Sequence, residues 1–251
     1  MDERYWDQLA PAYRAQVHDS LSTDRSGIIE RWLDEFASSR KTAVDFGCGV
    51  GRYLPALSKR FKLIHALDHS ARLLDQARAA NGNLINLIYR KADLTRPLRD
   101  WKRPHFGICM NVLIAPDHDL RSAMIRTMHQ ALAPGGHLLV VVPALESALY
   151  TDVRLVEWSM RDGMTHRRAL RDGLRGEPGV IGPLAAGLID RGGVPTKHYL
   201  CEEAVLMFRD SGFDVEFVDK VEFDWSAEFS APPRWLRDPY PWHWLLVCRR
   251  A

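Results

Sequence analysis

Residues 44–51 read Val-Asp-Phe-Gly-Cys-Gly-Val-Gly, and this spacing can hold a small ligand against bare backbone. Glycine has no Cβ, so it takes positive φ and allows close approach. With a strand before it and a helix after it, the turn would add free N–H groups and a positive dipole end. The pattern predicts a cradle for a nucleotide-type cofactor; the plain alternative is a glycine turn that holds nothing. Asp45 places a carboxylate two residues before Gly47. It would repel a pyrophosphate, but it can accept from an ammonium or fasten the loop. A dinucleotide cradle asks for G-x-G-x-x-G. Counted from Gly47, its third glycine falls on Arg52, and the glycine itself comes one residue early, at Gly51.

Two more acids stand at intervals that suit such a site. Asp68 lies 17 residues past Gly51. An acid closing the second strand of such a unit hydrogen-bonds ribose hydroxyls. Asp93 follows a third apolar run; it also reads as an ordinary loop acid. His166, His198 and Tyr199 are candidates for a base on the acceptor side, with Glu146 and Tyr150 near a strand end. No spacing ties any two of them together, and a structural role is the simpler reading of each.

These residues need strands and helices to position them. Apolar, partly β-branched runs predict strands at 42–46, 62–67, 84–90, 105–111 and 137–142. Ser70 is a fitting N-cap for a helix running to about residue 78. A helix is expected over 117–133, ended by Ala133-Pro134-Gly135-Gly136. An amphipathic helix over 25–38 has Ile28, Ile29, Trp32, Leu33 and Phe36 on one face. Past residue 200 the pattern gives a helix to Ser211, a strand over 213–224 and another over 242–249. Strands alternating with helices predict an α/β sheet.

Three segments together resemble the class I S-adenosylmethionine (SAM) dependent methyltransferases of small-molecule type. They are the D-x-G-x-G-x-G of Asp45 to Gly51, the run Asp68-His69-Ser70-Ala71-Arg72-Leu73-Leu74-Asp75-Gln76-Ala77-Arg78, and Leu132-Ala133-Pro134-Gly135-Gly136-His137-Leu138-Leu139-Val140. The resemblance implies a Rossmann-like, doubly wound sheet of seven strands whose last strand is antiparallel. It implies SAM as cofactor and S-adenosylhomocysteine (SAH) as product. It implies that Asp45, Gly47, Cys48, Gly49 and Asn111 meet the cofactor, that Asp68 and His69 flank its ribose, and that Asp93 and Leu94 meet its adenine. The leader Tyr5-Trp6-Asp7-Gln8-Leu9-Ala10-Pro11-Ala12-Tyr13 is similar to a segment that folds over the cofactor in that family, with Tyr13, and less directly Tyr5, at the methionine end. The same aromatics can simply pack a helix on the domain.

The expected organisation is one domain over 1–251: N-terminal helices at 1–40, a cofactor core at 42–143, a helical insertion at 144–194 and a closing helix and strand hairpin at 195–251. A structureless insertion of about 50 residues is uncommon, so it should carry helices. It leaves from the sheet edge at which open α/β sheets bind ligands, so it reads as an acceptor lid. A solvated excursion or a dimer surface is the alternative. Arg154, Arg161, Arg167, Arg168, Arg171 and Arg175 crowd it and suggest an anionic group on the acceptor. Trp158 and Met160 would form its apolar side, and the aromatic loop 225–241 would wall an apolar pocket or pack under the sheet edge.

With 251 residues and 46% apolar content, the chain can bury one large core. A formal net charge of +2 gives no electrostatic case for nucleic acid. No apolar run approaches a membrane span, and the start has no signal core. The four cysteines form no Cys-x-x-Cys pair. They read as reduced thiols of a cytoplasmic protein, without a metal. A monomer and a homodimer are both compatible. Asn111-Val112-Leu113-Ile114 lacks the Pro-Pro-aromatic run of amino-directed nucleic-acid methyltransferases, which favours a small organic acceptor without excluding protein or tRNA. Three functions stay open: a methyltransferase moving a methyl to O or N, a SAM- or SAH-binding protein without transfer activity, and a nucleotide-dependent oxidoreductase. Asp45 and Arg52 count against the third.

Overall fold

Seven strands run side by side in the order β3-β2-β1-β4-β5-β9-β8, in a computed structural model that describes residues 3–173, 184–190 and 194–251. They are β1 (Ser38–Phe46), β2 (Phe61–Asp68), β3 (Leu87–Lys91), β4 (Phe106–Met110), β5 (His137–Pro143), β8 (Phe213–Glu222) and β9 (Trp242–Arg250). The first five are parallel, and β9 pairs antiparallel with both β5 and β8. The expected Rossmann-like sheet with an antiparallel last strand is what the chain forms. Every residue of β4 is buried, as a strand covered on both faces requires.

One face is covered by α4 (Ile28–Glu35) and α5 (Leu54–Ser58), through Ile28, Ile29, Leu33, Leu54 and Leu57. The other is covered by α7 (His118–Ala131) and α10 (Cys201–Arg209), through Ile125, Met128, Met207 and Phe208. Helix α6 (Ala71–Ala80) joins β2 to β3; Ser70 caps it by accepting from the Leu73 amide at 3.1 Å. Asp117 caps α7 in the same way, at 3.0 Å from the Leu120 amide.

Several boundaries differ from expectation for local reasons. β1 begins at Ser38, four residues early, because the Ser38 amide bonds the Arg60 carbonyl at 2.9 Å and draws the chain into register with β2. That also shortens the helix expected over 25–38. β3 begins at Leu87 rather than 84: Leu84 closes a turn on Asn81, and Asn86 spends its amide on the carbonyls of Ser58 and Phe61.

The insertion carries α8 (Leu145–Arg161) and α9 (His166–Gly173), as its length requires. Its last described strand, β6 (Leu188–Asp190), pairs antiparallel with β7 (Pro195–Lys197) just beyond it, a two-stranded ribbon that was not expected. Arg175, and the parts of the insertion at 174–183 and 191–193, lie outside the described residues. Among the described residues, no helix is long and apolar enough to cross a membrane, and no group of side chains could hold a metal ion.

Candidate functional site

The strand order reverses between β1 and β4, and open α/β sheets take ligands outside the carboxyl ends of strands at that point. A cavity of about 250 Å³ lies there. Gly47 comes to it from the end of β1, Asp68 and His69 from β2, Ala92 to Thr95 from β3, and Met110 to Val112 with Ile114 and Ala115 from β4. Leu120 and Met124, one turn apart on α7, close one side; Trp6, Tyr13 and Leu73 close another. Of the residues singled out from sequence, Tyr13, Gly47, Asp68, His69, Asp93, Leu94 and Asn111 reach this wall. Asp45, Cys48 and Gly49 lie behind it, in and beneath the glycine loop.

The loop holds its shape through three left-handed glycines, with φ of 79° at Gly47, 54° at Gly49 and 78° at Gly51. Its amides do not point at the cavity, contrary to the expectation of free donors. Gly47 and Cys48 both donate to the Leu67 carbonyl at 2.8 Å, and Gly49 donates to Asp68 Oδ2 at 2.7 Å. What the glycines provide is room. A Cβ on Gly47 would stand 2.6 Å from the Val112 side chain, and one on Gly49 would stand 2.5 Å from the Tyr13 hydroxyl.

Carboxylates give the site its charge. Asp68 also accepts from the Ser70 amide at 2.9 Å; burial pushes its carboxyl up, against the pull of these backbone bonds. Asp45 is 1% exposed, and its Oδ2 has no hydrogen-bond partner. Burial, then the Asp68 charge, raises its carboxyl well above the usual range. Burial works against the charge on Asp93 too, but the Thr95 hydroxyl at 2.7 Å and amide at 2.9 Å, with His69 and Arg96 nearby, hold its carboxyl below its ordinary value. Burial, then the nearby Asp68, pushes the Tyr13 phenol up, so Tyr13 offers an O–H rather than a phenolate.

Asp45 therefore costs the ligand-free protein stability. A carboxyl whose folded pKa is raised stabilises the fold fully below its unfolded pKa, and the contribution falls as pH rises toward the folded value. Asp45→Asn is expected to melt higher than wild type at pH 7 without ligand. The gap should close as the pH approaches 4, where both carry a neutral group. Scanning calorimetry from pH 4 to 8 checks this; a variant melting below wild type at pH 7 would show the charge is held by something else.

The N-terminal segment is strapped over the cavity by polar contacts. Asp7, on α1 (Glu3–Leu9), accepts from the Ser70 hydroxyl; Glu3 pairs with Lys91. Arg52 reaches back to the carbonyls of Val17 at 2.7 Å and Arg14 at 2.9 Å, and its guanidinium stands 5.7 Å from the Tyr13 ring. The residue that breaks the dinucleotide pattern thus serves as the clamp for this strap. Trp6 rather than Tyr5 is the second aromatic on the wall.

The three base candidates do not reach the cavity. His166 is exposed on α9. His198 is buried against the Thr196 carbonyl at 3.1 Å. Tyr199 donates to the Leu113 carbonyl at 2.6 Å, and burial pushes its phenol up. Glu146 accepts from the Cys201 amide at 2.9 Å and the Trp244 indole at 3.0 Å; Tyr150 packs beside Trp225. Described residues of the insertion do not line the cavity either. Arg154 and Arg161 pair with Glu157 at 2.6 Å and stack over Trp235, so the aromatic loop packs against α8.

Little marked Leu120 and Met124 in advance, apart from their four-residue spacing, which puts both on one face of α7. Asn111 carries a structural mark invisible in sequence, a left-handed φ of 56°.

Residues 43–136 match the family model described as a methyltransferase domain. The 23S rRNA (uracil(1939)-C(5))-methyltransferase RlmD of Pseudomonas fluorescens (strain Pf0-1) is 30% identical over 165 residues, 62% of this chain and 34% of that protein. The chain thus spans about a third of the length of that relative. A SAM-dependent methyltransferase of Methanosarcina mazei superposes with a TM-score of 0.63 at 16% identity, over 90% of this chain and 98% of that one. The N-methyltransferase NodS of Bradyrhizobium japonicum WM9, solved with SAH, does so with a TM-score of 0.60 at 13% identity, over 98% of each chain. The matched stretch takes in the strands from β1 to β4, whose ends build the cavity, and is similar to a methyltransferase domain.

Proposed function

We propose that the chain binds SAM in this cavity and transfers its methyl group to an O or N atom of a small organic acceptor. The observation that carries the reading is the direction of the loop amides. A pyrophosphate needs those N–H groups, and here they are bonded to Leu67 and Asp68. Around the cavity stand acceptors instead: the carboxylates of Asp68 and Asp93, with Asp45 behind them. Such a site suits a ligand with a sulfonium, an ammonium, ribose hydroxyls and an adenine amino group. Asp68 has lone pairs left for ribose, Asp93 and Leu94 stand where adenine would lie, and the unpartnered Asp45 Oδ2 suits a nearby cation. NodS, on the same fold, is solved with SAH.

SAM supplies an activated methyl on a neutral leaving group. What this chain must do is align the acceptor and exclude water, so positioning is the main device. Trp6 and Tyr13 cover one end, and Met110, Val112, Ile114, Leu120 and Met124 make the wall apolar. A base is needed only for an acceptor that must lose a proton. His166, His198 and Tyr199 do not stand on the wall. The insertion remains our candidate for the acceptor lid, since it leaves the sheet beside the site. Arg154 and Arg161 pair with Glu157, so neither supports an anionic acceptor.

The rRNA enzyme does not extend its substrate to this chain. Methylation at a pyrimidine C5 requires a nucleophile to add to the ring first. Burial holds the thiols of Cys48, Cys109, Cys201 and Cys248 up, and none lies on the cavity wall. The small net charge also favours a small acceptor.

Calorimetry with SAM, SAH and NAD tests the cofactor: SAM and SAH should bind in the micromolar range and NAD should not. Binding of NAD without SAM would overturn the assignment. Transfer from labelled SAM to a panel of small amines, alcohols and acids, run beside bulk tRNA, then tests the acceptor. Label entering tRNA alone would move the acceptor to RNA.

A further inference from the structure

We infer that Ser20 is a positioning residue for the cavity, acting through Asn111. Only its binding arm rests on the SAM reading above.

Ser20 is fully buried on the short helix α3 (Ser20–Thr23), and a buried hydroxyl is costly unless hydrogen-bonded. It has two polar neighbours from distant parts of the chain. Asn111 Nδ2 donates to Ser20 Oγ at 2.8 Å, and His243 Nδ1 lies 3.4 Å away. A serine hydroxyl has one proton to donate and two lone pairs. Accepting from Asn111 uses one lone pair, and the Nδ1 of His243 can take the proton.

Asn111 is the first residue past β4, on one of the two loops that shape the cavity. Asn111 is held in its left-handed conformation by its own amide, bonded to the Val141 carbonyl at 2.8 Å, and by Ser20. The residue after it, Val112, packs on Gly47 so closely that a Cβ there would lie 2.6 Å from it. A line of contacts therefore runs from Ser20 through Asn111 and Val112 to the first glycine of the loop. Ser20 is itself fixed from the strap: Asp19 caps α3 and stands 3.5 Å from Arg52. One hydroxyl thus registers the strap, the glycine loop and the β4 exit against one another.

The test uses the full chain and begins without ligand. In Ser20→Ala, hydrogen exchange should quicken about tenfold at 47–53 and 110–113, as for loss of one buried hydrogen bond, and stay unchanged at 138–142 in the sheet. The Kd for SAH should rise about tenfold. Asn111→Ala should raise it similarly, and the double variant should add less than about twofold to either, since both changes break one link. Asn111→Ala also reads the link from its other end, as faster exchange at 20–23, should Ser20→Ala not fold. Unchanged exchange in both loops of folded Ser20→Ala, or effects on SAH affinity that multiply, would overturn the inference. If the wild-type chain binds no SAH, the methyl-donor reading fails, and the exchange arm still decides the role of Ser20.

Discussion

Gly49→Val is expected to abolish measurable SAM and SAH binding in a chain that still folds. Gly49 sits at φ 54°, where a β-branched residue is strained by about 1–3 kcal/mol. Space is the second obstacle, because even a single Cβ would stand 2.5 Å from the Tyr13 hydroxyl. The chain can yield in two ways. Either the loop leaves its conformation and breaks the 2.7 Å bond from its amide to Asp68, or Tyr13 leaves the cavity wall. Both dismantle the site, and together they should cost at least about a hundredfold in affinity. Calorimetry with SAH, beside circular dichroism for the fold, reads the outcome. Gly49→Ala separates the two causes. Combined with Tyr13→Ala it should bind no more weakly than Tyr13→Ala alone if the clash dominates, and more weakly still if the backbone does. Binding of wild-type strength by folded Gly49→Val would remove the cradle from the account.

Strands were legible where burial is symmetric. β4 and β5 are covered on both faces, so their sequences are unbroken apolar runs with one turn signal at each end. The acids were legible because strand ends place them, and Asp68 and Asp93 both reach the wall. Hydrogen-bond direction was not legible. Whether the Gly47 and Cys48 amides face a ligand or the Leu67 carbonyl depends on the neighbouring strand, to which no local pattern points. The base candidates show the same limit. His198 and Tyr199 have the right chemistry, but a carbonyl has taken each of them in the packed interior. The β6–β7 ribbon has three residues a side, too few for alternation to register. Ser20 looks like any loop serine until the fold brings residues 111 and 243 to it.

Asp68→Ala should damage both the ligand site and the fold, and the two losses can be separated. In the wild-type chain one carboxylate serves two buried amides, Gly49 at 2.7 Å and Ser70 at 2.9 Å, and should also serve the ribose. Removing the ligand bonds should cost about 1.5–3 kcal/mol of affinity, the range for hydrogen bonds to a charged group. Leaving the two amides unpaired should cost stability as well, about 1–3 kcal/mol for each one that water cannot reach. Asp68→Asn keeps one oxygen and nearly the same shape. It should preserve one amide bond, turn an N–H₂ toward the other, and lose most of the affinity with less loss of stability. Melting temperature and SAH affinity, measured on both variants, give the comparison. If Asp68→Ala loses stability but binds SAH as wild type does, Asp68 is a strut for the glycine loop and the ribose acid lies elsewhere. If both variants lose affinity while Asp68→Asn melts near wild type, the carboxylate itself is what the ligand requires.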